Sequence, residues 1–131
     1  MGTIKKFQDL HVWQEARELC KLVDKYFLKN ESIRDYPLKD QLNRSSGSVM
    51  DNIAEGFGRG GSKEFRQFVS ISLGSLNESQ SQIIRARDRD YLGDKEYQEL
   101  MSLSEKLVGM LINFSNYLTN TNFTGAKFKK N

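Results

Sequence analysis

Apolar residues recur along this chain at three- and four-residue steps, and almost nowhere do they alternate. That spacing gathers them on one face of an α-helix, whereas a half-buried strand needs period two. Over about 9–30, Trp13, Ala16, Cys20, Val23 and Phe27 share a face, and Asp9 is placed to cap the start. A second helix is expected to open at Pro37, whose fixed φ suits a first helical turn. It repeats Leu38, Leu42, Ser45, Val49, Ile53 and Gly56. A third is expected from Ser62 as N-cap, aligning Phe65, Val69, Ser72, Leu76, Ser79 and Ile83. The fourth starts at Asp94 and carries Tyr97, Leu100, Ser104, Leu107, Leu111, Phe114 and Leu118. The links, about 31–36, 58–61 and 92–93, are short, and short links join antiparallel neighbours. The pattern predicts an all-α, antiparallel up-down-up-down four-helix bundle over residues 1–118. A basic, flexible tail is expected over 119–131.

One stretch tests that prediction. Gly56, Gly58 and Gly61 satisfy G-x-G-x-x-G, and Ser62-Lys63 follows like the end of a nucleotide-binding loop. Such a loop acts as a phosphate cradle only after a β-strand and at the start of a helix. Here a helix precedes Gly56. The glycines therefore read as a turn, one of them supplying the left-handed residue that ends the second helix. Phosphate can still meet the first amides of the third helix and Lys63, a weaker claim than a nucleotide site.

Helices one and four carry more apolar residues than one bundle core needs. Val12, Leu19 and Tyr26 form a second line on the first helix; Leu103, Met110 and Tyr117 do so on the fourth. Either the core is wide, or these residues meet another subunit. Leu103, Met110 and Tyr117 are the candidate oligomer contact.

Charge narrows the choice of partner. The net charge is +3, yet residues 1–118 balance 17 Lys and Arg against 17 Asp and Glu. The excess is Lys127, Lys129 and Lys130 in the tail, a modest signal for anionic partners. Within the third helix, Lys63, Arg66, Gln67, Ser70, Gly74, Asn77, Ser81 and Arg85 fall on one outward arc that is free of acids until Asp88. Such an arc suits phosphate contact; its small residues equally suit close approach of another helix. Arg85 and Arg89 are neighbours at four-residue spacing, and Arg87 turns towards the core stripe. With Asp88 and Asp90 among them, these arginines read as a solvated, partly self-paired helix end. Lys63, Arg66, Arg85, Arg89, Lys127, Lys129 and Lys130 are thus the candidate nucleic-acid contacts.

The chemistry on offer is thin. One His and one Cys exclude most metal sites and most His-based catalysis, and no serine has a base placed beside it. No catalytic residue, metal or cofactor is expected. No apolar run has bilayer length and no secretory leader is legible. With Cys20 alone, the expected location is a reducing cytoplasm. Asn52 edges the apolar stripe of the second helix, and Glu55 is expected beside Arg44 and Ser48. These read as a satisfied polar cluster fixing helix register, with a ligand or partner site as the alternative.

Several stretches also resemble a known family. "Phe7-Gln8-Asp9-Leu10-His11-Val12-Trp13-Gln14-Glu15-Ala16" is similar to its pattern F-x-x-L-x-V-W-Q-x-A. Residues 41–59 resemble Q-L-x-R-x-x-x-S-[IV]-x-x-N-I-A-E-G-x-G-R, with Asn52, Glu55, Gly56, Gly58 and Arg59 in the motif. Lys63-Glu64-Phe65 and Gly74-Ser75-Leu76-Asn77-Glu78 continue the likeness, which runs from about 7 to 118. Asn43 and Ser45 depart from it, where the family more often has Arg and Ala. The family is that of the 23S rRNA intervening sequence proteins, also called S23 ribosomal proteins. The resemblance implies a four-helix bundle assembling as a ring-like homopentamer, with no established enzymatic activity. Related accessory proteins of diversity-generating retroelements bind nucleic acid and a reverse transcriptase. The expectation is thus a non-enzymatic oligomeric scaffold that contacts structured RNA or DNA and has such a protein partner; the alternative is a protein–protein adaptor without nucleic acid.

Overall fold

The computed structural model describes residues 4–121. They form four helices: α1 (His11–Val23), α2 (Tyr36–Arg59), α3 (Ser62–Asp88) and α4 (Asp94–Thr119). A 3-10 turn, Phe7–Asp9, precedes α1, and a π-helical turn, Asp24–Leu28, prolongs it. Lys29 N donates to Asp24 O at 2.9 Å, the five-residue closure of a π turn. No strand occurs among the described residues.

Hydrogen bonds between helices fix the directions. Ser48 meets Ser75 and Ser45 meets Ser79, so residue numbers fall along α3 as they rise along α2. Gln80 meets Ser104, and Arg66 meets Thr119. Lys106 pairs with Glu15, and Tyr26 bonds to Glu99. Each of these neighbours is antiparallel, and α1 touches both α2 and α4. The result is a square, up-down-up-down bundle around one core.

The predicted stripes line that core: Ala16, Val23 and Phe27 from α1, Leu38 to Ile53 from α2, Phe65 to Ile83 from α3, and Leu100 to Leu118 from α4. The second line of α1 belongs to it as well, since Val12 is buried, Leu19 is sealed and Tyr26 packs against it. Leu103 and Met110 are half-buried and pack on the same cluster. A wide core accounts for Val12 and Leu19, whereas Leu103 and Met110 keep part of their surface open in line with Tyr117, which counts as exposed.

Helix ends differ in detail from the sequence reading. Asp9 does not cap α1: its own amide closes the 3-10 turn on Lys6 O, and Leu10 becomes the uncapped N-cap. Asp35 caps α2 by accepting from Leu38 N at 3.2 Å, with Pro37 inside the first turn. Gly61, not Ser62, is the N-cap of α3. The hydroxyl of Ser62 donates instead to Thr121 O at 2.8 Å, tying the start of α3 to the end of α4.

The glycine stretch is mostly helix. α2 continues through Gly56 and Gly58 to Arg59, leaving a two-residue turn. Gly60 adopts φ 94°, the left-handed conformation that suits glycine at a helix end. Gly56 faces α3 so closely that a Cβ there would lie 2.7 Å from Phe68 Cβ and 2.8 Å from Phe65 Cδ1. At Gly58 a Cβ would meet nothing.

At the other end of α3, Asp35 gathers several groups. It accepts from Arg89 at 2.6 Å and from the Tyr91 hydroxyl at 3.0 Å while capping α2. Burial pushes its carboxyl up, but the Leu38 amide, Arg89 and Tyr91 outweigh burial and hold it below the usual carboxylate range. Arg87 donates to Leu92 O and pairs with Asp94, closing the α3–α4 turn.

Candidate functional site

The outer arc of α3 is laid out as its periodicity demands. Lys63, Gln67, Ser70, Gly74, Asn77 and Ser81 are exposed, and Arg66 and Arg85 are half-buried at its edges. The cations of this helix divide into two groups. Arg87 and Arg89 are neutralised by Asp94 and Asp35. Lys63, Arg66 and Arg85 have no carboxylate partner among the described residues; Arg66 donates to the Thr119 hydroxyl at 3.1 Å and Arg85 to Gln41 Oε1 at 2.5 Å. The expected self-pairing of this helix end therefore does not form: the aspartates that engage the arginines come from the α1–α2 link and from α4. Arg89, committed to Asp35, is the weakest of the candidate nucleic-acid contacts. Lys127, Lys129 and Lys130 lie outside the described residues.

Between α2 and α3 runs a seam of serines. Ser72 Oγ donates to Val49 O at 2.8 Å. Ser79 Oγ donates to Ser45 Oγ at 2.8 Å, and Ser45 Oγ to Gln82 Oε1 at 2.5 Å. Ser48 and Ser75 share a hydrogen bond of 2.8 Å, and Asn52 Nδ2 donates to both Ser48 O and Ser48 Oγ. Ser45, Ser72, Ser79 and Gln82 are buried, where an unpaired polar group costs about 1–3 kcal/mol, and Ser48, Ser75 and Asn52 are half-buried. The seam opens outward into a cleft of about 380 Å³ lined by Gln41, Arg44, Ser45, Ser48, Ser75, Glu78 and Gln82. Glu78 thus borders the cationic arc from the cleft side, a position the arc's own spacing leaves out.

The N-I-A-E-G-x-G-R stretch resolves into separate structural jobs. Asn52 locks onto Ser48 one turn back, and Ile53 is sealed in the core. Glu55 does not face Arg44; it pairs with Arg59 at 2.8 Å, one turn ahead on the same exposed face. Arg59 also lies over the Phe68 ring at 5.3 Å, and Gly56 admits the close approach of α3. Sequence spacing missed the cleft because it joins two helices, and hydroxyl partners across a seam have no one-dimensional signature.

Other chemistry is scarce. Cys20 donates to Ser46 O at 3.3 Å, and burial pushes its thiol up to about 11, so the reactive thiolate is disfavoured. Among the described residues, no three His, Cys, Asp or Glu converge as metal ligands. None of their helices is long and apolar enough to cross a membrane. An apolar hollow of about 270 Å³ lies at the start of α1, bounded by Ile4, Leu10, His11, Val12, Phe114 and Tyr117.

With this geometry in hand, the comparisons with known proteins become informative. The family model described as "23S rRNA-intervening sequence protein" matches residues 8–113. The chain belongs to that family. Its fold is shared with a solved protein of unknown function from the S23 ribosomal protein family of Bacteroides thetaiotaomicron. That likeness has a TM-score of 0.72 at 24% identity and covers 79% of this chain and 97% of the other. Among curated proteins none matches the chain. In this member of the 23S rRNA-intervening sequence protein family, the matched span takes in α1 to α3 and most of α4.

Proposed function

We propose that this protein is a non-enzymatic, oligomeric scaffold of the cytoplasm that contacts nucleic acid through the outer face of α3. The observation that carries the reading is the division of cations on that helix. Among the described residues Lys63, Arg66 and Arg85 stand without carboxylate partners along an arc of exposed neutral donors, while Arg87 and the C-cap residue Arg89 are neutralised. Phosphate contacts draw on unneutralised Lys and Arg, with Ser, Asn and Gln side chains adding neutral donors. The charge-balanced body makes each subunit's contribution weak, so useful affinity comes from repetition of the arc in an assembly. Tyr117 and Ile112 on α4, at 37% and 46% exposure, and the isoleucines Ile71 and Ile84 on α3 are the apolar groups available to a self-contact, with half-buried Leu103 and Met110 in line with Tyr117. A homopentamer, as the family resemblance implies, repeats the arc five times around one ring.

Binding to duplex DNA and to structured RNA, measured from low to moderate salt, tests this. Wild type is compared with Lys63→Glu/Arg66→Glu and with a truncation after Thr121, which keeps the partners of Ser62 and Arg66. The expected outcome is weak, sequence-independent binding whose logarithm falls linearly with log salt, less steeply in both variants. No binding at low salt, or equal binding by all three, removes nucleic acid. The same isoleucines then favour a protein–protein adaptor, a reverse transcriptase being one such partner. Light scattering addresses assembly: Ile84→Lys/Ile112→Lys should yield smaller species, and a wild-type monomer at high micromolar concentration defeats self-association.

A further inference from the structure

The cleft between α2 and α3 holds polar groups that the fold leaves idle. Gln82 is only 6% exposed, and Ser45 uses its Oε1, yet its amide nitrogen has no partner among the described residues. No sealed side-chain nitrogen or oxygen of the described residues lacks a hydrogen bond, so this nitrogen reaches into the cleft. The Ser48–Ser75 pair offers a second donor: either hydroxyl can donate in their shared hydrogen bond, so one of the two protons is left over, and both residues line the cleft. Arg44 and Glu78 line the same space from opposite helices, and neither forms an ion pair among the described residues. A cation and an anion therefore stand apart across a floor of neutral donors.

We propose that this cleft binds a free α-amino acid. Its carboxylate takes the fork of Arg44 together with the Gln82 amide and the free proton of the Ser48–Ser75 pair, and its ammonium faces Glu78. A simple oxyanion meets repulsion from Glu78, and a simple cation meets it from Arg44; a zwitterion satisfies both. A nucleobase edge also combines donors and acceptors, but single-base recognition relies on a stacking face. No aromatic ring lines this cleft. Its volume of about 380 Å³ is at the small end of ligand sites, which run from about 300 to 1,000 Å³.

The whole chain is screened by thermal shift against the common L-amino acids at millimolar concentration, and hits are titrated by calorimetry. At least one should bind saturably, with its deaminated and its decarboxylated analogues at least about tenfold weaker. Arg44→Gln and Glu78→Gln should each weaken binding by a similar factor. Both residues are exposed, so the melting temperature of the free protein should not move. Four results overturn the proposal: no saturable binding by any amino acid, equal binding by a deaminated analogue, unchanged affinity in either variant, or preference for inorganic phosphate or guanosine monophosphate.

Discussion

The bundle has two kinds of seam. Between α1 and α4, buried Val12 and Leu19 and half-buried Leu103 and Met110 contribute to one apolar cluster, with Tyr26–Glu99 and Lys106–Glu15 as the polar contacts. Between α2 and α3, serines and Gln82 exchange hydrogen bonds, and Gly56 lets the helices close. Apolar packing is non-directional and tolerates changes of shape at similar volume. A hydrogen-bonded seam fixes register, since sliding one helix orphans several hydroxyls together. The first seam relies on apolar packing; the second adds hydrogen bonds that specify how two helices meet.

Substitutions that separate the two should differ in size. Gly56→Ala is expected to cost most, up to about 3 kcal/mol, because its Cβ would overlap Phe65 and Phe68. Urea denaturation measures it, and a neutral result breaks the claim that the α2–α3 seam is closely fitted. Ser45→Ala comes next. It removes the donor to Gln82 Oε1 and should cost about 1–2 kcal/mol in the same assay. Met110→Leu, an apolar swap in the other seam, should cost less than about 1 kcal/mol. If it costs more than Ser45→Ala, the contrast between seams is lost. Gly58→Ala should stabilise by about 0.5 kcal/mol, since its Cβ meets nothing and alanine favours the helix. A loss there as large as at Gly56 would show that the glycine stretch has a purpose other than packing.

Much of the fold was legible because helical periodicity is local. Val49, Ile53, Val69 and Leu76 are buried where their spacing put them, and even Ser45, Ser72, Ser79 and Ser104 could be assigned to core stripes. The absence of a strand before Gly56 was enough to set the nucleotide-loop context aside, but only Gly60 and Gly61 form the turn, and Gly56 and Gly58 lie inside α2. Local spacing failed where partners come from elsewhere in the chain. Asp35 engages Arg89 and Tyr91 across more than fifty residues, as the sequence separations of 54 and 56 show. Glu55 went to Arg59 because a partner one turn ahead is always within reach, whereas Arg44 faces a cleft formed only when α3 docks. The doubled apolar lines raised the right choice between core and contact, but which of the two applies depends on how far apart the helices sit.

The two-residue turn at Gly60–Gly61 also has a kinetic consequence. Pairs across the α2–α3 seam are 23 to 37 residues apart along the chain, whereas Tyr26 and Glu99 are separated by 73. Each doubling of a closed loop costs only about 0.6 kcal/mol, yet it is incurred before the contact forms. The serine seam is therefore the cheaper one to close early and a natural part of the folding nucleus, with the α1–α4 seam zipping last. Ser45→Ala should then slow refolding, while Leu103→Ala should mainly quicken unfolding.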